Sequence, residues 1–385
     1  MGGARSNEGA PRVLVVLSSL CAEGTPILAL DLCRRWMTAG IEPTVVTLSD
    51  RPDDLAAEFR QQNVPIERMR LPLRGPQRFA VLAATTYDLC RRLRPQAVLS
   101  MPVGWHAFMF MGARGAGVPR TAAHVGNYPP VQGDRSALSK FRFLVQLGRP
   151  LTDRLICCSS YIQAGVVDHF GVPIEETAVI YNGVDVRTLA DRAAATAASR
   201  RARPPGPVTV GMVARLELHK DQPTLIRAAA ALREAGRPVE VWLVGEGSRR
   251  QEYERLIAEL GLTGSVRLLG MRRDIPELLG QMDAFVFSAK PDEGLGVALV
   301  EAMAASVPII ATDVGACREV LLEGALGELV PPADPAAMAA AIRRLTDAEG
   351  ALARHARVER ARTRALDTFS IDQMATGYAR ILGLV

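Results

Sequence analysis

The chain has 385 residues, of which 48% are hydrophobic and 23% charged, with a formal net charge of +5. That length exceeds one ordinary core, so two globular domains are expected. Aromatic residues make up 5% and no basic run is interleaved with them, which argues against a nucleic-acid surface. The small positive excess suits anionic substrates or an acidic membrane surface without choosing between them. No segment reaches about 18 uninterrupted apolar residues, so no transmembrane helix is expected.

Six cysteines, at 21, 33, 90, 157, 158 and 317, show no C-x-x-C spacing. They read as reduced, mostly buried thiols of a cytoplasmic protein rather than as disulfides or a metal site. Met1 to Pro11 is small and polar, and reads as a disordered leader without the apolar stretch of a signal peptide.

Along the chain, RVLVVLS (12–18) is a short β-branched apolar run, followed by a loop and an amphipathic stretch from Pro26 to Ala39. Strands are predicted again at 44–49, 97–102, 120–125 and 154–159, with helices between them and one ending near Gly171. TAVIYNGVD (177–185) closes the first series. Residues 187–207, rich in Ala, Arg and Pro and ending in RPPGP, read as an interdomain linker. A second series of strands follows at 208–214, 239–245, 265–270, 284–289, 307–312 and 326–331. Helices alternate with these strands. The chain then ends in an Arg- and Ala-rich helical tract and an amphipathic segment, 371–383.

Continuous apolar strands alternating with helices predict an α/β protein whose parallel sheets are covered on both faces. Two doubly wound Rossmann-like domains facing across a cleft are expected. The N-terminal one spans 1–186, the linker 187–207 and the C-terminal one 208–369, with a last helix, 370–385, returning to the N-terminal domain. Ligands of such sheets lie beyond the carboxyl ends of the strands.

The informative residues fall at those ends. DEGLGVALVEAM (292–303) follows a strand and opens a helix, with Glu293 in the loop and Glu301 eight positions on. Gly294, Leu295 and Gly296 offer backbone N–H groups near the positive end of the helix dipole, suited to phosphate or sugar hydroxyls. Taken alone, the two glutamates also fit ordinary surface positions. GMVARLELHKDQPTL (211–225) places Arg215 and Lys220 above a helix start, where a fork and a mobile point charge suit a diphosphate. Lysine occurs at only 140, 220 and 290, yet two surface charges are the plainer reading. LVGEGSRR (243–250) puts Gly245 and Gly247 where a nucleotide would approach the backbone, although Arg250 stands where a dinucleotide fingerprint needs glycine. In the N-terminal half, Gly24 and Thr25 precede a helix, and His124 ends a strand ahead of Asn127 and Tyr128. Trp105 and His106 mark another strand-end loop. Each of these has a structural reading as well.

Together and in this order, VIYNGVD, RLELHKDQPTL, LVGEGSRR and DEGLGVALVEAM resemble the family-four retaining glycosyltransferases of GT-B fold, with Glu293 and Glu301 as the E-x7-E motif. The likeness covers nearly the whole chain and is strongest from 177 to 331. It implies a hexosyl-type transfer from a nucleotide-diphosphate sugar, most commonly a UDP-sugar, to a hydroxyl in polysaccharide, glycolipid or glycosylated-metabolite synthesis. By this resemblance Arg215 and Lys220 hold the diphosphate, Glu293 contacts the transferred sugar, and Glu301 binds the ribose. Gly245, Gly247, Met271, Arg272 and Arg273 line the base, His124 helps position the reacting centre, and Gly24 and Thr25 match the N-terminal loop. Trp105, His106, Asn127 and Tyr128 are candidates for the acceptor. Glu23 stands where members often carry a second glycine, Ala214 replaces a frequent glycine before the arginine, and Asp221 one after the lysine.

No D-x-D triplet occurs, so neutralisation by Arg215 and Lys220 without a metal is expected, with no cofactor. The rival readings are a sugar-nucleotide epimerase of similar architecture and a non-catalytic nucleotide-sugar sensor. Residues 138–155 mix apolar and basic positions at helical spacing. They read either as a helix packed on the first sheet or as a contact with the inner face of a membrane.

Overall fold

The computed structural model describes residues 9–69, 71, 75, 77–131, 135–201, 207–218, 220–347 and 350–385. Residues 1–8 of the expected leader and 202–206 of the expected linker lie outside them. The chain forms two compact units: Met1–Gly183 with Ile371–Val385 (unit 1), and Val184–Ser370 (unit 2).

Unit 1 runs β1 (Arg12–Leu17), α1 (Gly24–Thr38), β2 (Glu42–Thr47), α2 (Ala56–Gln61), β3 (Ile66–Arg68) and α3 (Gln77–Leu93). It continues through β4 (Ala97–Ser100), α4 (His106–Gly115), β5 (Arg120–Val125), α5 (Arg135–Gly148), β6 (Arg154–Cys157), α6 (Ser160–Gly165) and β7 (Thr177–Val179). The strands pair in the order β3-β2-β1-β4-β5-β6-β7, all parallel. Parallel pairing requires a crossover between strands, and the helices supply it while covering both faces. Hence Val13 to Leu17 of β1 are all buried, an apolar run without alternation.

Unit 2 opens with α7 (Val186–Arg201) and continues through β8 (Thr209–Val213), α8 (Gln222–Glu234), β9 (Glu240–Val244), α9 (Arg250–Glu259), β10 (Val266–Gly270) and α10 (Ile275–Leu279). Then come β11 (Ala284–Phe287), α11 (Val297–Ala304), β12 (Ile309–Thr312), α12 (Gly315–Val320), β13 (Glu328–Val330), α13 (Pro335–Thr346) and α14 (Ala351–Thr368). The parallel sheet has the order β10-β9-β8-β11-β12-β13. The sequence of pairing reverses direction between β8 and β11, and that switch point opens a crevice beyond the carboxyl ends of the two strands.

The stretch read as a linker is largely a helix of unit 2. Its alanines favour helix, and Leu189, Ala190 and Ala193 are buried. A Cβ added at Gly280 would stand 2.4 Å from the Ala193 carbonyl oxygen, so α7 lies directly on the end of α10. Arg192 forms a forked pair with Glu277 at 2.8 and 2.8 Å, and Arg200 donates to Asp283 at 2.6 Å. Two arginines of this segment are therefore its attachments.

The last helix, α15 (Ile371–Ile381), belongs to unit 1. Ile371, Met374, Tyr378 and Leu382 join the core made by β1, α1 and β2, and the Trp36 indole donates to the Ala375 carbonyl at 3.0 Å. All six cysteines are free thiols, five buried and Cys21 half-buried.

Candidate active site

The switch point of unit 2 gathers the residues singled out by their charge. The loop after β8 carries Arg215 and Lys220, and the loop after β11 carries Glu293. Two ties hold the first loop in place. The Asp221 amide donates to the Ser288 carbonyl at 3.0 Å, which fixes the loop to the end of β11. Buried Gln222 donates its side-chain amide to the Arg215 carbonyl at 2.7 Å and accepts from the Tyr253 hydroxyl at 3.2 Å. Arg215 itself is exposed at the loop crest.

The glycines of the loop after β9 serve this arrangement. A Cβ at Gly245 would stand 2.1 Å from the Ala214 carbonyl oxygen, and one at Gly247 would stand 2.4 Å from that of Leu216. Gly245 also has a φ of +141°, outside the reach of most side chains. The Leu216 amide donates to the Glu246 carbonyl at 2.9 Å, and Glu217 accepts from the amide and hydroxyl of Ser248 at 3.0 and 2.8 Å. These two glycines were read as room for a nucleotide. In the structure the neighbouring loop occupies that space, and they are needed to bring the two loops into register. The Gly245 amide also donates to the Gly270 carbonyl at 2.9 Å, which sets Met271, Arg272 and Arg273 beside this loop. All three are exposed, with Arg272 forked onto Asp274 at 2.7 and 2.5 Å.

Lys220 and Glu293 form an ion pair, with their side chains 15% and 12% exposed. The ammonium also stands 5.0 Å from the Phe287 ring centroid. A pair this far from water returns in attraction roughly what it costs in desolvation, so stability is a poor reason for its presence. The Glu293 carboxylate further accepts from the Gly294 amide at 3.3 Å. The helix behind it starts at Val297, because Gly296 is its cap at a φ of +80°. A Cβ there would meet Phe287 and Leu299 at 3.1 Å, so Gly294, Leu295 and Gly296 form the loop and not the first turn. Leu295 is buried, and Glu301 is half-buried two turns into α11. Cys317 lies nearby: burial first, and then the Glu293 carboxylate, push its thiol above the ordinary range and keep it unreactive.

In unit 1 the expected residues separate. Gly24 opens α1 at the carboxyl end of β1, with nothing within 4 Å of where a Cβ would stand, and Thr25 follows half-buried. His124 is 2% exposed, hydrogen-bonds through Nδ1 to the Tyr378 hydroxyl at 2.8 Å, and turns Nε2 toward Gly126. His106 is fully buried, not a surface residue awaiting an acceptor. Its Nδ1 accepts from the Gly104 amide at 3.0 Å, and its Nε2 faces Gly148 because α5 packs across the start of α4. Trp105 is half-buried, packed against Phe79 with the Arg78 guanidinium 5.0 Å above its ring. Asn127 is exposed, whereas Tyr128 is stacked on Tyr161 and bonded to His169 at 3.3 Å.

Burial pushes both imidazoles, His106 and His124, down to about 4. Unfolded, they titrate near ~6.5. Between those values the unfolded chain binds more protons, so stability is full above about pH 6.5 and declines as the pH falls toward 4. Thermal melts are expected to show a falling Tm from about pH 7.5 to about pH 5. A smaller fall is expected in His124→Gln, and an equal fall in that variant would contradict the assignment. Held this way, the His124 imidazole is neutral near pH 7 and turns its Nε2 toward Gly126.

The sequence pattern described as "Glycosyltransferase Family 4" matches residues 22–188, and that described as "Glycosyl transferases group 1" matches residues 196–364. The D-inositol 3-phosphate glycosyltransferase of Salinispora arenicola is 30% identical over 318 residues, 78% of this chain and 69% of that protein. The chain belongs to the family 4 glycosyltransferases. Other relatives of this glycosyltransferase are matched over shorter spans. The putative glycosyltransferase EpsD of Bacillus subtilis is 39% identical over 34% of both chains. A glycogen synthase of Mycobacterium tuberculosis is 30% identical over 60% of this chain and 54% of its own length. This transferase thus spans between a third and about half of those two relatives. Anabaena Alr3699/HepE, solved with UDP and glucose, superposes on 97% of the transferase and 100% of its own chain, with a TM-score of 0.82 at 22% identity. That likeness establishes the GT-B fold.

Sequence reasoning missed the groups that hold the site: Gln222, Tyr253, Glu217 and Phe287 in unit 2, and Tyr378 in unit 1. Glu217 and Gln222 stand inside RLELHKDQPTL without having been singled out there, and Tyr253, Phe287 and Tyr378 stand in none of the quoted motifs. Only the strand–loop–helix junctions they support were marked.

Proposed function

We propose that this glycosyltransferase moves a sugar, with retention of configuration and without a metal, from a nucleotide-diphosphate donor to an acceptor hydroxyl. The Lys220–Glu293 pair at the switch point carries the reading. It is a cation and a carboxylate kept together at little gain in stability, at the place where Rossmann-like sheets bind ligands. UDP is the favoured nucleotide, because HepE was solved with UDP and with UDP-glucose.

In this mechanism the donor diphosphate takes Lys220 from Glu293 and adds Arg215 from the loop crest. The freed carboxylate then accepts from hydroxyls of the transferred sugar. The Gly294–Gly296 loop offers its amides, and Glu301 takes the ribose. The bond from the anomeric carbon to the leaving phosphate oxygen breaks as the acceptor oxygen forms its own on the same face. The acceptor proton passes to the leaving phosphate. Two cations then meet the charge that develops on the diphosphate, which is where electrostatic stabilisation acts most strongly. The absence of a D-x-D triplet supports neutralisation by these side chains. Of the candidates in unit 1, Gly24 and Thr25 stay assigned to the donor and Trp105 and Asn127 to the acceptor.

The test is release of nucleoside diphosphate from a panel of nucleotide sugars, with and without EDTA. Release from one donor, undiminished by EDTA, is expected. Activity abolished by EDTA and restored by a divalent ion would overturn the metal-free step.

A further inference from the structure

The carboxyl edge of the first sheet carries a group of charges that the transfer chemistry leaves unused. Asp50, Arg51 and Asp53, between β2 and α2, and Arg68, the last residue of β3, line an open pocket of about 460 Å³. That volume lies within the roughly 300–1,000 Å³ usual for small-molecule sites, and such sheets take their ligands at this edge. Arg68 Nη2 donates to both Asp53 carboxylate oxygens at 2.8 and 2.8 Å, and Nη1 to the Asp50 carbonyl at 3.1 Å. The guanidinium plane is thereby fixed, with N–H donors left over. The Asp50 carboxylate, on a side chain 64% exposed, stands 3.8 Å from Arg68. Arg51 is exposed, and its guanidinium has no partner among the described residues.

The walls are held from behind. The Leu20 amide donates to the Pro52 carbonyl at 3.1 Å, the Leu55 amide to the Leu20 carbonyl at 2.9 Å, and the Ala22 amide to the Asp54 carboxylate at 3.1 Å. Residues 50–55 are thus fastened to the loop after β1, which runs on to Gly24. Thr47 pairs in register with Arg68, so their side chains leave the sheet on the same face. Thr47 is fully buried, and its hydroxyl has no partner among the described residues. An Arg68–Asp53 pair this open to water, at 28% and 23% exposed, adds little to stability.

We propose that this pocket holds a neutral sugar unit of the acceptor, so that the transferase glycosylates a carbohydrate. The charges of the four lining side chains cancel. An anionic ligand would meet Asp50 and Asp53, and a cationic one Arg51 and Arg68. Hydroxyls satisfy both, donating to the carboxylates while accepting from the guanidinium groups. No large apolar side chain is among the described residues that line the pocket, so an acyl chain or an aromatic group finds no seat there. The link to the acceptor rests on the transfer reading, whereas the preference for a sugar does not.

The experiment applies the full chain, without donor, to an array of neutral, acidic and amino-bearing glycans, and measures the affinity of those retained by calorimetry. Retention of neutral glycans is expected, weakened at least about tenfold in Asp50→Asn/Arg51→Gln, a double substitution at exposed positions. The same variant should raise the KM for those glycans as acceptors by a similar factor. UDP binding by the same preparations separates the two readings. A chain that takes UDP but retains no neutral glycan would overturn the proposal. So would a preference for acidic or amino-bearing glycans, full affinity in the double variant, or bound glycans that receive no sugar from any donor. Neutral glycans bound through these residues by a chain that takes no UDP would leave the pocket a sugar site and sink the transfer reading instead.

Discussion

Lys220→Ala is expected to lower transfer by about 10²–10³-fold, the usual cost of removing one preorganised group that meets charge developing in a transition state. The residue also has a structural partner, so loss of activity alone would prove little. Removing one member of a buried ion pair takes the close counter-charge from the other, and for a pair this little exposed the cost is about 1–3 kcal/mol. Lys220→Ala should therefore lower Tm as well. The double variant Lys220→Ala/Glu293→Gln separates the two effects. With no charge left uncompensated it should regain most of the lost stability, yet it should stay as inactive as the single variant. Recovery of transfer together with stability would make the pair structural. Assays of turnover and Tm on the same preparations decide between these outcomes.

Truncation after Ser370 is expected to destroy unit 1 while leaving unit 2 able to fold. The deleted segment places Ile371, Met374, Tyr378 and Leu382 in the core beside β1 and α1. Each such side chain contributes roughly 1.5–3 kcal/mol on burial, and four of them rival the whole stability of an ordinary domain. The cut also strips the Trp36 indole of its acceptor and leaves buried His124 without the Tyr378 hydroxyl. Limited proteolysis should then show rapid loss of residues 9–183 and a protected fragment spanning the second sheet. A truncated chain with both sheets protected would contradict this reading.

The fold was legible where the physics is local. Continuous apolar runs such as Val13–Leu17 are what a parallel strand buried on both faces requires, and the loops at their carboxyl ends carried the charges. Residues 187–201 were misread because few large apolar residues mark them. Their helix is held by alanine propensity and by arginine forks to Glu277 and Asp283, partners more than eighty positions away. The segment between 51 and 96 received no elements, although α2, β3 and α3 lie there. A three-residue edge strand leaves almost no periodicity to read.

The site was legible as chemistry and less so as geometry. Lys220 and Glu293 were each marked as ligand contacts, but 73 residues of sequence give no sign that they meet. His106 and His124 stood at strand ends, where exposure is the ordinary expectation. Helices α5 and α15 cover them instead, and the His124 partner lies 254 residues away. Gly245 and Gly247 carried a correct signal with a different cause, since a glycine reports a close approach without saying what approaches.

The most direct test is calorimetric titration of the intact chain with UDP, set beside the same titration of Lys220→Ala. The account predicts binding by the wild-type chain and a loss of at least about tenfold in affinity in the variant, the cost of one charge-assisted contact to a phosphate. Undiminished binding by a folded Lys220→Ala chain would contradict the placement of the diphosphate at the β8–β11 switch point.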